Sequence, residues 1–168
     1  MHFSFLEEKI VDWILNDEQE FNWENAKDKF LRVNTLSLDE ISQQEKRLLS
    51  LGYQFPSELK TFWTEIGCGY LYPNDFVDNG LERPKTILDI YLNEGEWANV
   101  KIDCNIIDKS ELPFFLICDL DYITIGIEEG KNLGKIYRFG VEIAPNLTDF
   151  IQHIMQDVTY YNKLLTAI

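Results

Sequence analysis

Pro113-Phe114-Phe115-Leu116-Ile117-Cys118-Asp119-Leu120-Asp121-Tyr122-Ile123-Thr124-Ile125-Gly126-Ile127 is the stretch that decides the fold class. Two runs rich in β-branched and aromatic residues flank a short acidic segment, the pattern of two strands joined by a tight turn. Glu128 to Gly134 is polar and contains two glycines, so Lys135-Ile136-Tyr137-Arg138-Phe139 is expected to return as a further strand of an antiparallel meander. Upstream, Tyr70-Leu71-Tyr72 reads as the first strand, and residues 86–92 fit either a strand or a short helix. Residues 73–112 otherwise carry turn signals, at Pro73-Asn74-Asp75 and Asp78-Asn79-Gly80.

Helical patterns flank this strand region. Ser4-Phe5-Leu6-Glu7 has the form of a capping box, and Leu6, Ile10, Trp13 and Ile14 follow at helical spacing, predicting a first helix that ends near Asn16. A loop and then a short helix are expected over residues 17–32. Ser37-Leu38-Asp39-Glu40 repeats the capping pattern, and Ile41, Leu48 and Leu49 carry a helix towards Gly52. Pro56 opens the next helix in its first turn, Leu59, Phe62, Trp63 and Ile66 give it an apolar face, and Gly67-Cys68-Gly69 stops it. Asn146 is a good N-cap, and Leu147, Phe150, Ile151, Ile154, Val158, Tyr161 and Leu165 predict one long closing helix. The fold expected is α+β: an antiparallel sheet of about four to six strands, packed by N-terminal helices and a long C-terminal helix. It forms a single domain over residues 1–168, with a helical extension at 1–36 and a motif-bearing core at 37–156.

Composition narrows the function. The 168 residues are 45% hydrophobic and 14% aromatic, enough for a proper core. The net charge of −14, from 29 acidic and 15 basic residues, repels phosphate backbones and anionic lipid surfaces and attracts basic partners. The acidic start, from Met1 to Glu8, lacks the basic region of a secretory leader, so the chain is expected to act in the cytoplasm where it is made. Cys68, Cys104 and Cys118 form no CxxC pair and fit reduced, buried thiols.

A search for catalytic chemistry finds little. The two histidines, His2 and His153, sit in no metal-ligand spacing, and neither a GxSxG elbow nor a phosphate-binding glycine loop is present. Asp119 and Asp121 could hold a divalent cation or do acid–base work, form the turn, or contact a partner. No cofactor is expected. Residues 75–129, by contrast, concentrate 13 acids against 4 bases and include Phe76, Tyr91, Trp97 and Tyr122. Acids steer a basic protein and aromatics anchor it, so Asp75, Asp78, Glu82, Glu94, Glu96, Asp119 and Asp121, with Trp97 as anchor, are the candidate partner-binding residues.

Leu51-Gly52-Tyr53-Gln54-Phe55-Pro56-Ser57-Glu58-Leu59-Lys60-Thr61-Phe62-Trp63, following Glu45, resembles the signature of the SUKH superfamily, which includes the Smi/Knr-type regulators. Ile66-Gly67-Cys68-Gly69-Tyr70 is similar to its turn into a strand, although Gly67-Cys68-Gly69 stands where asparagine-glycine-glycine is usual. Leu112-Pro113-Phe114-Phe115, Asp119-Leu120-Asp121-Tyr122-Ile123, Gly134-Lys135-Ile136-Tyr137 and Leu147-Thr148-Asp149-Phe150-Ile151 continue the likeness, which runs from about Leu38 to about Ile154. The resemblance implies a binding fold without a catalytic centre. It implies an immunity protein that occludes a cognate toxin, a basic one of nuclease type, or else a regulatory or scaffold domain of the Smi/Knr type. The oligomeric state is left open.

Overall fold

Asp119 and Leu120 form a two-residue hairpin loop, with φ of 42° and 70°, between paired Cys118 and Asp121. Positive φ at both central residues matches the right-handed twist of the flanking strands, so this loop sets their register. The hairpin sits in the middle of a larger sheet. The computed structural model describes residues 2–13, 27–73, 77–100 and 108–165. Asp75 and Cys104, and residues 17–26 of the expected loop and short helix, lie outside these.

Among the described residues eight strands pair in sequence order: β1 (Ile10–Asp12), β2 (Phe30–Asn34), β3 (Cys68–Leu71), β4 (Gly80–Leu81), β5 (Glu111–Cys118), β6 (Asp121–Gly126), β7 (Ile136–Arg138) and β8 (Val141–Ala144). The β1–β2 pair is parallel and every other pair antiparallel, so the sheet is mixed and larger than the sequence suggested. The helices are α1 (Leu38–Leu49), α2 (Ser57–Glu65), α3 (Pro84–Leu92), α4 (Leu147–Gln156) and α5 (Tyr160–Leu165). The architecture is α+β, as expected.

Several expectations need correction. Ser4 caps no helix: Ser4–Lys9 is a short 3-10 segment behind Phe3, and Ile10 then turns extended to pair with Phe30. Where the loop and short helix expected over residues 17–32 were to end, the chain is a strand, because Phe30 and Leu31 find partners in Leu71 and Tyr70. The described part of the first 36 residues supplies a short 3-10 segment and two strands in place of the expected helices. Pro56 is the N-cap of α2 rather than a first-turn residue. Residues 86–92 belong to a helix. Phe139 is not in a strand but, with Gly140, forms the turn between β7 and β8. The closing helix is broken at Asp157, which is extended (φ −149°, ψ 104°) and whose carboxylate accepts from the Thr159 amide at 3.1 Å. An aspartate placed to start a new turn competes with continuing the old one.

One face of the sheet carries the core. Leu71, Leu81, Phe115, Ile123 and Ile125 pack against Leu48, Leu59, Phe62, Trp63, Phe150 and Ile154 from the helices, all buried. Ser37 caps α1 as expected, accepting from the Glu40 amide at 3.2 Å. The N-terminus of α4 is held from a distance: Glu58 accepts from the amides of Leu147 and Thr148 at 3.0 and 3.2 Å, in addition to the Asn146 cap. A carboxylate there satisfies orphan amides and opposes the positive end of the helix dipole. Replacing Glu58 with alanine is expected to lower stability by about 1–2 kcal/mol, measurable by urea unfolding. A loss below a few tenths would mean that Asn146 alone suffices.

Candidate protein-binding surface

Side chains alternate across a strand, so the row next to the core row points the other way. Register places Val11 opposite Leu31, Leu31 opposite Tyr70, Tyr70 opposite Gly80, Gly80 opposite Leu116, and Leu116 opposite Tyr122. This row forms the face of the sheet turned away from the main core. Its far end is covered: Ile90 of α3 and Trp97 pack with Tyr122 and Leu116 as a second, small cluster. Its near end is more open. Val11 and Val33 are 44% and 46% exposed, and Trp13 lies 5.5 Å from Tyr70, ring centroid to centroid. Exposed aliphatics grouped with aromatics on one face are the kind of apolar surface that marks an interaction site.

Two clefts meet at Tyr70. One, of about 230 Å³, is lined by Trp13, Leu31, Tyr70, Asp78 and Leu116. The other, of about 130 Å³, includes Val33, Cys68, Gly80, Glu82 and Arg83. Burial, and then the charge of nearby Asp119, push the Asp78 carboxyl above its ordinary value. Burial likewise raises Glu82, against the opposing effects of Tyr122, whose hydroxyl lies 3.5 Å away, and Arg83. The Tyr70 phenol is raised by burial and by both carboxylates, which marks a negative potential at the junction of the clefts.

The expected partner-binding residues fall into three groups. Asp78 and Glu82 border the clefts, Trp97 sits on the same face, and Asp119 stands exposed at the hairpin tip beside Asp78. Glu94 instead accepts from Arg47 at 2.7 Å, joining Asp89 and Lys85 in an ion-pair network between α1 and α3, and Glu96 is exposed on the short turn before Trp97. Asp121 is taken by Arg138, which donates to both its oxygens at 3.1 and 2.9 Å. Trp13, Leu31, Val33 and Tyr70 were missed, because only non-local pairing brings them to the acidic side chains. Among the described residues no group of three or more His, Cys, Asp or Glu side chains is placed to hold a metal, and no helix is long and apolar enough to cross a membrane.

A raised carboxyl pKa has a sign. The folded chain holds the Glu82 proton more tightly than the unfolded chain, so ionised Glu82 destabilises the fold above its folded pKa, and this penalty disappears as pH falls below the unfolded value. Glu82→Gln is therefore expected to stabilise the chain near neutral pH by about 0.5–1 kcal/mol, with the gain vanishing in acid. Melting curves across pH check this, and a lower melting point at neutral pH would contradict it.

A sheet backed by helices on one side and bearing an acidic, aromatic face on the other defines a protein-binding α+β module. The chain belongs to the SMI1/KNR4 family (SUKH-1), whose model matches residues 35–153. It is also similar to Immunity protein YxxD of Bacillus subtilis (strain 168), 28% identical over 144 residues that cover 84% of this chain and 92% of that protein. These relationships give the chain a non-enzymatic, protein-binding role. No solved structure matches it.

Proposed function

We propose that the chain is an immunity protein that binds a cognate toxin in the cytoplasm and occludes its active surface, and that this toxin is basic and of nuclease type. The observation that carries the reading is the similarity to a protein named as an immunity protein, which extends over 84% of this chain and 92% of that protein. Charge supports the finer part. A net charge of −14 draws a basic protein in and accelerates encounter, and carboxylates on an aromatic face compete with the phosphates such a toxin binds. Neutralisation needs only a stable complex that covers the toxin's substrate groove, with no turnover.

The test is co-expression with candidate toxin domains taken from the genes around its own. Survival of cells that otherwise die, together with a one-to-one complex, supports immunity; death despite equal expression overturns it. Digestion of RNA or DNA by the free toxin, blocked by the chain, supports the nuclease assignment. A protected toxin with no nuclease activity removes that assignment and keeps immunity. Reversing the charge of Asp78, Glu82 and Asp119 together is expected to slow association by roughly tenfold or more at low salt.

A further inference from the structure

We infer that the partner docks on the outer face of β1–β5, by placing a lysine or arginine side chain against the rings of Trp13 and Tyr70 beside the carboxylate of Asp78. This rests on the reading of the chain as an immunity protein for a basic partner, and it names the surface and the chemistry of contact.

The cleft lined by Trp13, Tyr70, Leu31 and Asp78 is about 230 Å³, ample for the end of one long side chain. Its two rings offer π faces, and a cation over an aromatic ring with a carboxylate at the rim is held by both. The state of Asp78 sets it apart. Three other partly buried acids already have cations: Asp89 has Lys85 and Arg47, Asp121 has Arg138, and Glu45 has Lys60. Among the described residues no lysine or arginine pairs with Asp78, and Asp119 adds a second negative charge nearby. Arg83 serves the other cleft, where it faces Glu82 and Cys68, so a cation from outside is drawn to the Asp78 side.

The exposed aliphatics Val11 and Val33 extend the cleft into an apolar border on which the rest of the partner's segment rests. Trp13, Val11, Leu31 and Val33 all lie ahead of residue 35, where the family match begins. The family-wide core thus supplies Tyr70 and Asp78, while the segment before it supplies the larger part of the apolar contact. Partner choice would then follow from these two added strands.

The experiment is an NMR titration of the full chain with a short arginine–glycine peptide, blocked at both ends, and with its citrulline counterpart, which keeps the shape and removes the charge. The arginine peptide is expected to shift the Trp13 indole and the amides of Tyr70 and Gly80 at millimolar concentration, and the citrulline peptide to leave them in place. Asp78→Asn and Trp13→Leu should each weaken the effect about tenfold, while Glu142→Gln, on β8 at the far end of the sheet, leaves it unchanged. Melting curves establish that each variant is folded. Shifts centred elsewhere, equal shifts with citrulline, or none at millimolar peptide overturn the assignment. So does a dimer in sedimentation that buries Trp13, since the occupant would then be a second copy. The two readings fail separately. A toxin neutralised equally well by the wild type and by folded Asp78→Asn and Trp13→Leu overturns this surface and leaves immunity intact. Peptide bound here with no toxin neutralised upholds the surface and overturns immunity.

Discussion

Asp121→Ala is expected to destabilise the chain by about 3 kcal/mol, at the low end of the range for breaking a buried ion pair by removing one partner. Arg138 is only 7% exposed, and its guanidinium is held on Asp121 by two parallel hydrogen bonds. Around it lie the rings of Phe139 at 4.6 Å and Tyr161 at 5.4 Å, and Tyr161 in turn donates to Asn79 at 3.1 Å. Removing the carboxylate leaves a cation among rings with no anion and little water. The Asp121 side chain is 25% exposed, which lets some water reach the vacated space and keeps the loss below the upper end of the range. The melting temperature should fall by roughly 10 °C. A double replacement, Asp121→Leu with Arg138→Met, should recover most of the loss, because two apolar groups of similar volume leave no stranded charge. A single variant that melts within a degree or two of the wild type would show that this pair contributes little.

The same pair explains why the acidic surface was only partly legible in the sequence. Composition identified residues 75–129 as acid-rich, but it carries no information on which carboxylates are consumed inside the fold. Asp121 sits in the same Asp-Leu-Asp turn as Asp119, yet one is bound by Arg138 from β7 and the other points to solvent. Glu94 likewise meets Arg47, a residue of a helix far away in the chain. Elements with local signals were read well: the β5–β6 hairpin from its turn, α1 from its Ser37 cap, and α2 from Pro56 and the apolar stripe behind it. The elements missed lack such signals. Ile10 and Trp13, three residues apart, fit one helical stripe but opposite faces of a strand, and what settles the matter is a parallel partner at residues 30–32. Phe30 to Asn34 in turn becomes a strand only because β3 lies beside it. The break at Asp157 falls within an unbroken apolar stripe, where periodicity outweighed a polar residue able to start a new turn.

Gly69→Ala is expected to cost roughly 3 kcal/mol or more and to displace β2 from β3. The sequence presents Gly67-Cys68-Gly69 as the stop after α2, but the structure gives these glycines a second task. A Cβ on Gly69 would lie 2.0 Å from the carbonyl oxygen of Leu31 and 3.1 Å from Cα of Arg32, at a φ of +155° that side chains rarely adopt. The atoms in the way are backbone, which cannot swing aside as a side-chain end does. Gly52 carries conformational strain without the clash: its φ is +85°, and nothing lies within 4 Å of the added carbon. Gly52→Ala therefore isolates the conformational cost, about 1 kcal/mol. The excess of Gly69→Ala over Gly52→Ala in urea unfolding measures the close approach of β2. Hydrogen exchange then locates it: protection should be lost across β2 while the β5–β6 amides keep theirs. Since β2 carries Leu31 and Val33, and β1 hangs on it with Trp13, the displaced chain should lose the arginine-peptide shifts even where its core remains folded. If Gly69→Ala cost no more than Gly52→Ala and kept β2 protected, the pairing of β2 with β3 would not depend on that missing side chain, and the outer face would owe its shape to the strands alone.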